Sequence, residues 1–241
     1  MTTQVRLAPR NQVELNGKPV EIAPVLQVVE ELAPEPVAVV LETPLPLGCG
    51  FGVSAAATLG TALVLNRRFD LGRSTTELAL LAHAAEVSHL TGIGDVAAQV
   101  SGGIVYRRCL SGPLDTIRLD HVPARNLSYI CFGPLLTTRI LKSPEITAAI
   151  AVAGERAVHW LDNHLKSVSI ASLLDRSLEF AEESHLLTSP AVRDAIQRAR
   201  HAGGSATMVM LGETVLAAAH SARGEGWMTC NLDHQGVRLI S

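Results

Sequence analysis

The chain has 241 residues, of which 47% are hydrophobic but only 3% aromatic, and a formal charge of −3. That length supports one large or two small cores, packed mainly from Leu, Val, Ile and Ala. The near-neutral charge excludes the basic field that a nucleic-acid backbone attracts.

Residues 1–20 alternate loosely, with Val5 and Leu7 and then Val13 and Leu15, and Asn16-Gly17 is a hairpin-type turn after the second pair. Two strands are expected there. Ile22, Val25, Leu26, Val29 and Leu32 follow helical spacing until Pro34 and Pro36 stop it. A strand is expected over 37–42, then a glycine-rich turn, then a helix over about 54–68 whose alanines allow close packing. A second helix is expected over about 75–89, opened by Ser74-Thr75-Thr76-Glu77 with the spacing of a capping box. Strands expected at 104–107 and 115–119 finish the first half, a polar join spans 120–126, and a β-run opens the second half at 127–132. Ser143-Pro144-Glu145 starts a helix to about His164. Further helices are expected over about 170–187 and from Ser189-Pro190 to about His201. The chain then reads as strands ending at Leu211, over 215–219, 227–232 and 237–240. The domain division expected is 1–125 and 126–241.

Cys49, Cys109, Cys131 and Cys230 are too far apart for a zinc pattern and too few for a disulfide framework. No charged start followed by an apolar core opens the chain, and the longest apolar run, 53–65, is interrupted and short of a bilayer's width. A cytoplasmic protein with no membrane partner is the expectation. The arginine pairs Arg67-Arg68 and Arg107-Arg108 are read as solvated faces. His83 and His89 are six apart and do not share a helix face, so no paired metal site is expected. His83 is read as half-buried.

The chemistry concentrates in one string: Pro46-Leu47-Gly48-Cys49-Gly50-Phe51-Gly52-Val53-Ser54-Ala55-Ala56. Three alternate glycines let the backbone turn tightly and approach a ligand. The helix that follows begins with amides that lack intrahelical partners, an end suited to an anion. The string is neither G-x-G-x-x-G nor a P-loop, since no Lys-Ser/Thr follows the glycines. From glycine content alone it is either a phosphate cradle or a tight loop between packed elements. Downstream, Glu86 precedes Thr91-Gly92-Ile93-Gly94-Asp95, and Gly102-Gly103 closes that segment. Taken by itself, Asp95 is most simply an N-cap or dipole partner of a helix start, and Glu86 a surface carboxylate on a helix.

The whole string resembles the nucleotide-binding loop of the GHMP kinases, and its wording is most similar to the archaeal-type pantoate kinases. The resemblance implies an α+β, two-lobed GHMP kinase fold. Its N-terminal lobe would be like ribosomal protein S5 domain 2 and its C-terminal lobe ferredoxin-like, with the site between them and an initial strand missing before residue 1. It implies ATP and Mg²⁺ as cofactors. Residues 46–56 would hold ATP, Ser54 and Glu86 would hold Mg²⁺, and Asp95 would take the proton of the acceptor hydroxyl. Thr137, Thr138 and Arg139, after the strand at 127–132, resemble a substrate loop, where an arginine fork suits a carboxylate. A loop that only caps the next helix is the alternative. Gly203, Gly204 and Ser205 resemble the third glycine motif, which closes the site near the nucleotide loop. The implied partner is a small hydroxy acid, pantoate, phosphorylated at its hydroxyl on the way to coenzyme A, with a homodimer left open. The alternatives are another small-molecule kinase of the superfamily or a non-catalytic nucleotide-binding homologue.

Overall fold

A computed structural model of the chain describes residues 1–107, 112–123, 127–135, 140, 142–218 and 224–240. The chain divides into two compact units. One comprises 1–47, 52–118 and 234–241; the other comprises 48–51 and 119–233.

The first unit contains a four-stranded sheet built from β1 (Thr2–Leu7), β2 (Gln12–Leu15), β3 (Lys18–Val20) and β4 (Val37–Glu42). The order is β1-β4-β2-β3, with β1 antiparallel and β2 parallel to β4. Where two strands were expected before residue 20, there are three. Asn16 and Gly17 both have positive φ (51° and 75°), as a primed hairpin turn requires, and the turn joins β2 to β3. The Lys18-Pro19-Val20 strand is hard to read because Pro19 removes a ladder donor. It is tolerated because β3 is the sheet's edge.

Helices α1 (Ala23–Leu32), α2 (Val53–Arg68) and α3 (Thr75–Ser88) pack on one another. Val25, Val29, Val37, Val39, Leu41, Leu59, Leu65 and Leu78 are all but sealed from solvent in their common core. Burying each such side chain contributes about 1.5–3 kcal/mol before entropy is counted. Gly60 lets α2 come down onto β1, since a Cβ there would sit 2.5 Å from the Thr3 hydroxyl. The short α4 (Asp95–Ser101) and the pair β5 (Val105–Tyr106) and β6 (Ile117–Arg118) complete the unit. Residues 237–240, expected as a strand, form none. The Val237 amide instead donates to the Gln99 carbonyl of α4 at 2.7 Å, and 234–241 group with the first unit rather than with 126–233.

The second unit has an antiparallel sheet of order β10-β7-β9-β8, from β7 (Leu127–Pro134), β8 (Ala206–Met208), β9 (Gly212–Ala218) and β10 (Met228–Cys230). Helices α5 (Pro144–His164), α6 (Ile170–Glu183) and α7 (Pro190–His201) accompany it. Leu178, Leu187, Val192, Ile196, Met208 and Val215 form its buried centre. Both units mix helix and sheet, so the chain is α+β.

Candidate functional site

The glycine string behaves as its composition requires. Gly48, Gly50 and Gly52 all have positive φ, at 76°, 85° and 62°. Gly52 is the N-cap of α2 and holds the left-handed conformation with no side-chain cap. The first amides of α2 therefore lack the usual hydroxyl or carboxylate cap and intrahelical acceptors. Within the second unit, 48–51 are held closely. The Leu135 amide donates to the Gly48 carbonyl at 3.0 Å. A Cβ on Gly50 would lie 2.9 Å from the Met210 carbonyl oxygen, and one on Gly212 would lie 2.1 Å from the carbonyl carbon of Cys49. Phe51 meets Tyr129 edge-on at 5.1 Å. Cys49 is fully buried, and that burial pushes its thiol above the ordinary cysteine range.

One turn into α2, Ser54 and Thr58 share a helix face, as residues four apart must. Both meet Glu86 of α3. The Ser54 hydroxyl donates to Glu86 Oε1 at 2.8 Å, and Thr58 Oγ1 lies 2.8 Å from the same oxygen. Glu86 is only 2% exposed, and its Oε2 has no hydrogen-bond partner among the described residues. Glu86 is therefore not the surface carboxylate that a helix position alone suggests. An acid is rarely buried without a cationic or hydrogen-bonding partner for each oxygen. The open oxygen beside a serine hydroxyl fits a hard divalent cation such as Mg²⁺, which takes one or two such ligands and fills its shell from phosphate and water. No group of three or more His, Cys, Asp or Glu side chains is placed for a metal among the described residues.

Asp95 stands at the first turn of α4, after the N-cap Gly94. It lines a shallow hollow with Ala55, His83, Glu86, Gly92 and Ile93. As a residue Asp95 is exposed, yet its carboxyl sits among crowded backbone: a Cβ on Gly52 would lie 3.1 Å from its Cγ. Desolvation, and then the neighbouring Glu86 charge, raise its pKa above the usual aspartate range. Gln99, one turn on, donates from Nε2 to the Gly52 carbonyl at 2.9 Å and fixes the exit of the glycine turn against α4.

His83 is half-buried, as expected. Desolvation chiefly, and then the Arg107 charge, lower its pKa, while Glu86 opposes them. Arg107 corrects the expectation of a solvated face. Its guanidinium donates to the Ile93 carbonyl at 2.7 Å and the Gly112 carbonyl at 3.3 Å, and its Nε is buried.

The structure thus brings Ser54, Glu86 and Asp95 together. Thr137, Thr138 and Arg139 lie outside the described residues. Gly203 has φ of 84° with open space at its Cβ, the Gly204 amide donates back to Ala199, and Ser205 donates to Asp175. The part of the 202–212 segment that meets 48–51 is the turn at 209–212. Thr58, Gln99 and Arg107 were missed as site residues. Thr58 was findable, being four after Ser54 on one helix; Gln99 and Arg107 depend on tertiary contacts that no local pattern announces.

Comparison with known proteins identifies the family. Residues 21–103 match the family model described as GHMP kinases N terminal domain. A pantoate kinase of Methanospirillum hungatei is 34% identical over 212 residues, covering 86% of this chain and 68% of that protein. A pantoate kinase of Thermococcus kodakarensis is 31% identical over 224 residues, covering 88% and 72%. Among solved structures, a protein described as a phosphotransferase related to the CoA biosynthesis pathway superposes with a TM-score of 0.77 at 25% identity, covering 96% of this chain and 82% of that one. A homoserine kinase from Cytophaga hutchinsonii, at 21% identity and a TM-score of 0.65 over 96% and 86% of the two chains, shares the fold. At this similarity and coverage the chain belongs to the GHMP kinase superfamily, in the family of the pantoate kinases.

Proposed function

We propose that this protein transfers the terminal phosphoryl group of ATP to the primary hydroxyl of pantoate, releasing ADP and 4-phosphopantoate. The observation that carries this most directly is the juxtaposition of the uncapped, glycine-led N-terminus of α2 with Glu86 and Asp95. Phosphoryl transfer asks the protein mainly for positioning and charge neutralisation. The turn at 46–56 carries backbone amides and a helix end, both of which favour phosphate. Ser54 and Glu86 would hold Mg²⁺, which when bound neutralises phosphate charge. Asp95 would accept the proton as the acceptor oxygen forms its bond to phosphorus and the bond to the departing ADP breaks. A raised carboxyl pKa moves this base nearer neutral pH, where general bases are most effective.

His83 lines the hollow that contains Asp95, and Arg107 holds the edge of that hollow through its hydrogen bond to the Ile93 carbonyl. A cytoplasmic location accords with the thiols of Cys49, Cys131 and Cys230 being free.

The test is ADP release with pantoate, homoserine, mevalonate and shikimate as acceptors. Pantoate should exceed the others in kcat/KM by at least about tenfold, a ratio within reach of one well-matched pocket. Preference for another acceptor would reassign the substrate. ATP binding with no ADP released from any acceptor would make the protein a non-catalytic nucleotide binder.

A further inference from the structure

We infer that Thr58 is a positioning residue for the cation site: it is the fixed anchor of Glu86, a buried donor to Oε1 that does not itself take the metal. The inference rests on the proposal that Ser54 and Glu86 hold Mg²⁺ and assigns a role to a third side chain. Thr58 is fully buried in α2, and its Oγ1 lies 2.8 Å from Glu86 Oε1 and 2.9 Å from the Ser54 carbonyl. A threonine hydroxyl has one proton, so those two acceptors compete. Were the proton on the Ser54 carbonyl, Oγ1 would face a carboxylate oxygen lone pair to lone pair at that distance. A hydrogen bond to a carboxylate is also roughly twice as strong as one to a neutral carbonyl. The proton therefore goes to Glu86.

Ser54 also donates to Oε1, so one oxygen receives two hydroxyls while Oε2 receives none among the described residues. Such an arrangement fixes the carboxylate's rotation and aims its open oxygen. A cation that takes a lone pair of the Ser54 oxygen constrains where that hydroxyl points, whereas Thr58 takes no part in the coordination. Thr58 then remains as a donor that holds Oε1 and keeps Oε2 in place. Hydrogen-bond partners standing behind a metal ligand commonly set affinity by 10–100-fold.

The experiment is calorimetric titration of ATP into the full chain at a series of Mg²⁺ concentrations, with thermal melting alongside. It compares wild type, Thr58→Val, which keeps the shape and removes the hydroxyl, and Thr58→Ser, which keeps the hydroxyl. Thr58→Val should raise the Mg²⁺ concentration needed for half-maximal ATP affinity by about tenfold, and Thr58→Ser should stay within about twofold of wild type. A Thr58→Val midpoint equal to wild type, in a wild type that does respond to Mg²⁺, overturns the role of Thr58 and leaves the kinase proposal standing. ATP binding by wild type that ignores Mg²⁺ fails the cation site itself. If Thr58→Val does not fold, Thr58→Ser decides: a midpoint shifted as far as tenfold despite the retained hydroxyl overturns the anchoring role.

Discussion

At the scale of single residues, Asp95 offers the sharpest test. It occupies a helix start, where negative charge is ordinarily welcome, yet desolvation and the Glu86 charge outweigh that benefit and raise its pKa. The folded state therefore favours the protonated form more than the unfolded chain does. As pH climbs from the ordinary aspartate range through the raised value, the unfolded state gives up its proton first, and stability is lost across that window. At neutral pH the ionised Asp95 is a cost to the fold. Asp95→Asn should accordingly melt higher than wild type at neutral pH, with the gain vanishing below the ordinary aspartate range. Turnover should fall by about 100-fold or more, as expected for loss of a general base, while calorimetric Mg·ATP affinity stays near wild type. Equal loss of turnover and ATP affinity, or a variant that melts lower at neutral pH, would mark Asp95 as structural. Ser54, Glu86 and Asp95 stood out in the sequence only through the resemblance of the glycine string and the 86–103 segment to a known family; taken by themselves, Asp95 reads as a helix N-cap and Glu86 as a surface carboxylate. Arg107 was misread because an arginine pair looks solvated until β5 and the 92–94 turn are folded beside it.

The elements were the most legible level, for physical reasons that differ between helix and strand. Helix starts announce themselves through caps. Ser74 accepts from the Glu77 amide at 3.2 Å and its own amide donates to Glu77 Oε2 at 2.8 Å, the reciprocal box read from the sequence. The donation from the Ser74 amide, and then that from the Ser74 hydroxyl, to the Glu77 carboxylate hold Glu77 below the usual glutamate range. Strands such as β3 and the missing one at 237–240 are decided by which edge or carbonyl is open to them, and neither is encoded within the segment. The capping box sits three turns before Glu86 on α3. Ser74→Ala should therefore lower Tm by about 2–4 °C, as for an ordinary cap loss in a chain of this size. The Mg²⁺ dependence of ATP binding should stay unchanged, because fraying in the first turn does not reach Glu86. A shifted Mg²⁺ midpoint in titration calorimetry would show that α3 transmits disorder along its length.

On the scale of the whole molecule, the chain order does not coincide with the units. Residues 48–51 group with 119–233, while the flanking 47 and 52 group with the first unit. No linear reading could assign that four-residue exchange, because it is made by contacts with Pro134, Leu135 and the 209–212 turn, remote in sequence. Two glycines of the second unit separate the ways such a turn can fail. Gly212 lacks a positive φ, and a Cβ there collides with the Cys49 carbonyl at 2.1–2.2 Å; Gly203 has φ of 84°, and a Cβ there meets nothing within 4 Å. Gly203→Ala carries backbone strain alone, about 1–2 kcal/mol, and should lower Tm with little change in ATP affinity. Gly212→Ala must push the 48–51 backbone or the start of β9 aside. A displacement of this order at a positioning loop costs as much as 100-fold in function, so its ATP affinity should fall by about tenfold or more with helix content by circular dichroism retained. The order of the two variants is what decides. If Gly203→Ala loses as much ATP affinity as Gly212→Ala, the Gly203-Gly204-Ser205 segment closes on the nucleotide as its resemblance implied. If Gly212→Ala alone loses it, the supporting turn for the phosphate loop is 209–212.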